Sequence, residues 1–180
     1  EFEEMWGSAT DFPIASRSKF GPAKTDNVPH KLNINGNAVE VYFTPGDNGT
    51  LQLQNLVTNN FDYDCFFSIY VFTDFNISNR MKSRFTGGRS VRGVFDRDTA
   101  NGVFQEMKGF GPFAWNPPAD VLIDFAEGTD IFHHKYMIID PLHTSSNPVV
   151  ETGSYNYSNA ANNSNDENML IVYSPRIANL

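Results

Sequence analysis

The chain is predicted to fold as one α/β domain on a mixed, mostly parallel sheet flanked by helices on both faces. Its 180 residues fit a single domain, and a globular chain of this size buries roughly 70% of its unfolded surface. The 40% hydrophobic and 14% aromatic content supplies a core of that size. Strand-length apolar runs also alternate with helical segments, as they do where helices connect the strands of a sheet. Runs such as Met169–Tyr173 fall far short of the roughly 20 residues that cross a bilayer, so no transmembrane helix is expected.

Taken in order, Phe2, Met5 and Trp6 have the spacing of the last turn of an amphipathic helix that stops at Gly7. A Pro/Gly/Asn/Ser-rich stretch follows to about Asn37. Val39–Phe43 alternates at period two, Thr44-Pro-Gly-Asp-Asn-Gly breaks it, and Leu51–Asn60 reads as a helix. Phe66–Phe72 reads as a buried strand, Asn76–Arg84 as a helix, Val91–Phe95 as a strand and Asn101–Lys108 as a short helix. Asp120–Phe125, Phe132–Ile139 and Pro148–Thr152 are strands, followed by a helix over Tyr157–Asn163 and a last strand, Met169–Tyr173. Ser174-Pro175 opens a further helix whose apolar stripe begins at Ile177 and Leu180. The two half-helices at the ends suggest a unit cut from a tandem array. Residues 1–37 would be the end of a preceding helix plus a linker, and residues 38–180 the domain.

Charge narrows the function classes. Thirteen Lys+Arg against 21 Asp+Glu give a net charge of −8, which argues against a broadly cationic, nucleic-acid-coating surface while permitting a local basic site. Arg80, Lys82, Arg84, Arg89, Arg92 and Arg97 gather six of the 13 basic residues into 18 positions, either a track for a polyanion or a solvated helix face and strand margin. The single Cys65, in an aromatic run, excludes an internal disulfide and a cysteine zinc site and reads as a core thiol. It says little about compartment. The Asp62-x-Asp64 and Asp96-x-Asp98 pairs lack the further oxygen ligands of a calcium loop and read as turn or surface residues, so no metal or other cofactor is expected.

The chemistry concentrates in Ile131–Asp140. Strand side chains alternate faces, which puts His133 and Lys135 on one face about 6.6 Å apart while His134 points away as a fold residue. An imidazole beside an ammonium makes an anion site with a nucleophile. Downstream, Glu151-Thr-Gly-Ser-Tyr-Asn leaves a strand through Gly153, and the same alternation groups Ser154 with Asn156, both able to donate hydrogen bonds to phosphate oxygens. Glu167, at the mouth of the last strand, could hold a histidine ring by its second nitrogen. Asp140 has the opposite parity to His133 and reads as a structural acceptor near the Gly153 turn. His30 and His143 read as structural or solvated.

His133-x-Lys135-x4-Asp140, Gly153-Ser154-x-Asn156 and Asn165-x-Glu167-Asn168 resemble the HKD signature of the phospholipase D superfamily, and the likeness runs through most of the chain. Twelve residues, Pro141–Thr152, stand between Asp140 and Gly153, about twice the family's usual number, and imply a longer hairpin. The resemblance implies a metal-independent phosphodiesterase. His133 would attack phosphorus to give a phosphohistidine, Lys135, Ser154 and Asn156 would hold the phosphate, and Glu167 would orient the histidine. In the family a second HKD motif supplies the histidine that protonates the leaving oxygen. This chain carries one motif, since His30-Lys31 lacks the spacing, so the resemblance implies a homodimer or a tandem half as partner. The compact motif form resembles nuclease-type and uncharacterised bacterial members, which makes nucleic acid the first expected substrate and phospholipid the second. The third possibility is a non-catalytic half whose tandem partner does the work.

Overall fold

The computed structural model describes residues 2–125 and 130–180. Its elements are α1 (Phe2–Trp6), β1 (Lys31–Ile34), β2 (Asn37–Thr44), α2 (Gly49–Asn60), β3 (Asp64–Ile69), α3 (Phe75–Phe85), β4 (Ser90–Phe95), α4 (Gly102–Met107), β5 (Asp120–Ile123), β6 (Lys135–Ile139), β7 (Val149–Gly153), α5 (Asn159–Asn163), β8 (Glu167–Tyr173) and α6 (Pro175–Ala178). Eight strands form one sheet in the order β1-β2-β8-β7-β6-β3-β4-β5. The sheet is mixed, as expected. The expected predominance of parallel pairs is corrected: five of the seven pairings are antiparallel, and the parallel ones are β3 with β4 and β4 with β5. Hairpin connections through β6, β7 and β8, with no helix long enough for a crossover between β6 and β7, impose that direction.

The helices start where side chains cap them. The Asn48 side-chain Oδ1 accepts from the Leu51 amide at 3.0 Å, and α2 then buries Leu53, Leu56, Val57 and Asn60, an i, i+3, i+4, i+7 stripe. The Asp74 carboxylate accepts from the Asn76 amide at 2.8 Å, and α3 buries Ile77 and Met81. These helices cover the sheet face that carries Cys65, Phe67, Ile69, Met137, Ile139, Val149 and Ile171, all within one buried cluster. Alternate residues on the other face, Phe66, Ile138, Val150, Leu170 and Val172, are half-buried. Cys65 is the expected core thiol, and burial pushes its ionisation far above the ordinary thiol range.

Two expectations about the ends of elements change. The stretch expected to be linker contains β1, which pairs antiparallel with β2. Leu32 and Ile34 alternate with Lys31 and Asn33, but the run is only four residues long and all four are exposed, so burial of one face does not mark it as a strand. The legible sign was Asn35-Gly36 with φ of 51° and 86°, the two-residue turn that suits a twisted hairpin. The strand expected over Phe132–Ile139 begins only at Lys135, leaving residues 131–134 as irregular backbone before it.

Candidate active site

His133 therefore lies outside the ladder, yet it meets Lys135: the two are joined at 3.1 Å between Lys135 Nζ and His133 Nε2. Lys135 also donates to the His133 carbonyl at 3.3 Å. The Tyr70 ring packs beside both, 4.7 Å from the His133 ring and 5.2 Å from the Lys135 ammonium. Lys135 is only 7% exposed, and that burial lowers its pKa, opposed by the negative charge of Glu167.

A concavity of about 360 Å³ is lined by His133, Lys135, Gly153, Ser154, Asn156 and Glu167. The structure thus gathers six of the seven singled-out residues at one place. Gly153 makes the approach possible. Its φ is 154°, and a Cβ there would stand 2.3 Å from the Asn168 carbonyl oxygen, so the exit of β7 can pass β8 only as glycine. Ser154 Oγ accepts from the Asn168 amide at 3.0 Å, which fixes the oxygen and leaves one O–H donor. Asn156 Oδ1 accepts from the Val71 amide at 3.3 Å, which turns its two N–H donors the other way.

Glu167 is at the site but does not hold the histidine. Its Oε1 accepts from Asn165 Nδ2 at 3.1 Å, and among the described residues no hydrogen bond joins it to His133. Asp140 is a structural acceptor, as expected, but its partners differ from the expected Gly153 turn. Fully buried, it accepts from the amides of Asp62, Tyr63 and Asp64 at 3.2, 2.9 and 2.9 Å and so anchors the start of β3. His134 is exposed rather than packed in the core, its ring touching Phe132 and Tyr136 edge-on.

Outside this site, five of the six clustered basic residues have protein partners. Arg84 and Arg89 pair with Asp62, Arg92 with Asp120, and Arg97 with Asp98, while Lys82 donates to the Phe113 carbonyl. Among the described residues, one group of three potential metal ligands converges, Asp26, His30 and Asp47. His30 donates from Nδ1 to the Val41 carbonyl at 2.9 Å and places Nε2 3.0 Å from Asp26 and 3.5 Å from Asp47. Burial, the largest single influence, lowers its pKa, but the contacts with Val41, Asp26 and Asp47 together outweigh it and raise the pKa, the pattern of a structural ion pair.

The family model described as cardiolipin synthase, PLD-like domain, matches residues 59–180, which contain every residue of the candidate site. Among solved structures, the chain is similar to the phospholipase D family member Nuc from Salmonella typhimurium, with TM-score 0.64 and 23% identity over 79% of this chain and 87% of that one. NucT from Helicobacter pylori gives TM-score 0.60 and 20% identity over 78% and 87% of the two chains. The phosphatidylserine synthase of Haemophilus influenzae gives 0.55 and 15% over 81% and 36%. No curated protein matches. At these identities the structural likenesses speak for the fold.

Proposed function

The chain belongs to the phospholipase D-like family, and from the geometry of its site we propose that it contributes one half of a phosphodiesterase working through a phosphohistidine. The observation that carries the reading is the His133–Lys135 contact at the floor of a concavity lined by Ser154 and Asn156. A phosphodiester entering there would replace the histidine as the partner of the Lys135 ammonium. Lys135, the Ser154 hydroxyl and the Asn156 amide would then neutralise the phosphoryl oxygens, where charge grows in the transition state. Released from Lys135, the neutral Nε2 lone pair of His133 attacks phosphorus. The P–O bond to the leaving group breaks, and that oxygen takes a proton from the histidine of a second motif. Water then cleaves the P–N bond. One histidine must be neutral while the other is protonated, so the rate should follow a bell-shaped pH profile whose pKa values belong to the pair.

The second motif would come from another copy of this chain or from a tandem half. Nucleic acid is the proposed substrate. The paired arginines allow it, because exposed ion pairs are worth about 0–1 kcal/mol and exchange readily for phosphate. A phospholipid is the second reading, favoured by exposed apolar side chains such as Phe125 at 73% and Ile131 at 60%, the latter two residues before His133. A rim that included Trp115 would favour lipid further, but Trp115 is buried in the core.

The test combines hydrolysis of bis-p-nitrophenyl phosphate, single-stranded DNA and phosphatidylglycerol vesicles with sedimentation over a dilution series, all in excess EDTA. Turnover should persist without divalent ions, fall as the assembly dissociates, and leave an acid-labile phosphoryl adduct on His133. Constant specific activity in a demonstrably monomeric sample would overturn the two-histidine site.

A further inference from the structure

The irregular backbone that carries His133 raises a question of positioning, since no strand pairing fixes residues 131–134. Two main-chain hydrogen bonds flank the histidine instead. On its C-terminal side, the Tyr70 amide donates to the His134 carbonyl at 2.7 Å. On its N-terminal side, the Phe132 amide donates to Asp96 Oδ2 at 3.0 Å. Asp96 follows β4 and is 3% exposed. Its other oxygen, Oδ1, accepts from the amides of Asp98 and Thr99, each at 3.0 Å. The Thr99 hydroxyl in turn donates to the Tyr70 carbonyl. One carboxylate therefore reaches both flanks: it holds Phe132 directly, and through Thr99 it holds the residue whose amide binds His134 and whose ring packs on His133 and Lys135.

We propose that Asp96 is a positioning residue for the reaction, a brace that sets where the His133 imidazole stands relative to Lys135 and the phosphate. The inference rests on the reading of His133 as nucleophile. Two strands that run parallel, β3 and β4, end beside each other at this place, so a side chain after β4 can reach the segment entering β6 on the far side of β3. Buried carboxylates that accept several amides are fixed in geometry, and their cost in burial is offset by those bonds. Asp96 does not line the concavity and touches no reacting atom, so its influence must pass through backbone position. Misplacing a catalytic group by about 1 Å costs on the order of 100-fold in rate, the scale on which supporting residues act.

Asp96→Asn tests this. The amide keeps an oxygen for Asp98 and Thr99, but presents N–H to the Phe132 N–H, donor against donor. The folded variant should lose roughly 10- to 100-fold in kcat with KM changed less than about 3-fold, and the acid and base limbs of its pH profile should shift. Thr99→Val, which breaks only the indirect link, should cost less than about 10-fold. Wild-type kcat and pH profile in a folded Asp96→Asn protein would overturn the brace. If that variant does not fold, amide hydrogen exchange in the wild-type protein decides: the Phe132 amide should be protected like those of β6, and exchange at an unprotected rate overturns the proposal. His133→Ala measured beside these separates the two readings. If His133→Ala is active the nucleophile is wrong, whereas an inactive His133→Ala with an unimpaired Asp96→Asn leaves the nucleophile and removes the brace.

Discussion

The two halves of the sheet carry different kinds of information. The antiparallel strands β6, β7 and β8, with the segments at their ends, carry the residues that line the site, close together in sequence. The half containing β3, β4 and β5 supplies the supports: Val71 orients Asn156, Tyr70 packs on His133 and Lys135, and Asp96 holds Phe132. The chemistry sits where the chain is local, and the scaffold that aims it comes from strands brought alongside by long connections. A motif can thus be intact while its activity depends on residues that belong to no motif.

The largest effect should come from removing the nucleophile on the antiparallel side. His133→Ala should lower turnover of a generic phosphodiester by about three orders of magnitude or more while thermal unfolding is nearly unchanged, because the ring is exposed. Appreciable activity in the folded variant would break the comparison at its strongest point. Next in size is the junction of the two halves. Asp140→Ala would leave the amides of Asp62, Tyr63 and Asp64 without their acceptor, at a cost of about 3 kcal/mol or more in denaturant-derived stability. A loss under about 1 kcal/mol would mean that β3 is anchored by its ladder alone.

Asp140 also shows how far the sequence could be read. Its opposite parity to His133 marked it as structural, and that followed from strand geometry alone. Its partner was not legible, because whether β6 lies next to β3 or to some other strand depends on sheet order, which local spacing does not encode. The same limit hid Asp96. The Asp96-x-Asp98 pair reads from the sequence as turn or surface residues, but Asp96 is buried, and its hydrogen bond to Phe132 spans 36 positions and crosses β3. Lys135, Gly153 and Glu167 were legible from alternation within strands and one glycine exit, whereas His133 meets Lys135 from irregular backbone ahead of β6, where alternation does not apply. Glu167 marks the boundary between the two cases: its place at the site could be read, but its bond to Asn165 depends on a loop conformation that alternation does not determine.

A smaller effect is expected from the buried carboxyl beneath the motif. Glu151 is fully buried on β7, accepts the Tyr157 hydroxyl at 2.5 Å and, among the described residues, has no partner for its second oxygen. Burial pushes its pKa up from 4.5 to about 8. The unfolded chain releases this proton near the ordinary value, whereas the folded protein keeps it to about 8. Stability should therefore fall as pH rises from 4.5 to 8 and level off above. Glu151→Gln removes that slope, so the variant should gain stability relative to the wild-type protein as pH rises from about 4 to about 9. Comparing the two pH values cancels any fixed cost of the unpartnered amide. An unchanged slope in denaturant titrations would show that Glu151 ionises within the folded protein at an ordinary value.

The smallest effect should come from the neighbour of the nucleophile, and it sharpens the contrast between side chain and scaffold at single-residue scale. From its alternation His134 is expected to point away from the site as a fold residue, so that His134→Asn would cost stability before chemistry. The exposed ring touches only the edges of Phe132 and Tyr136 among its aromatic contacts, and such pairs contribute about 0.5–1.5 kcal/mol even when well buried. What His134 gives the fold is its carbonyl, which accepts the Tyr70 amide and survives any side-chain substitution. His134→Asn should therefore shift stability by less than about 0.5 kcal/mol and change kcat by less than about 3-fold, against the near-complete loss expected one residue earlier. A loss of 2 kcal/mol or more would place the ring against the core and restore the expectation from alternation. A large loss of kcat at unchanged stability would instead make the imidazole of His134 a participant, and the assignment of His133 as the motif's single reacting histidine would fall.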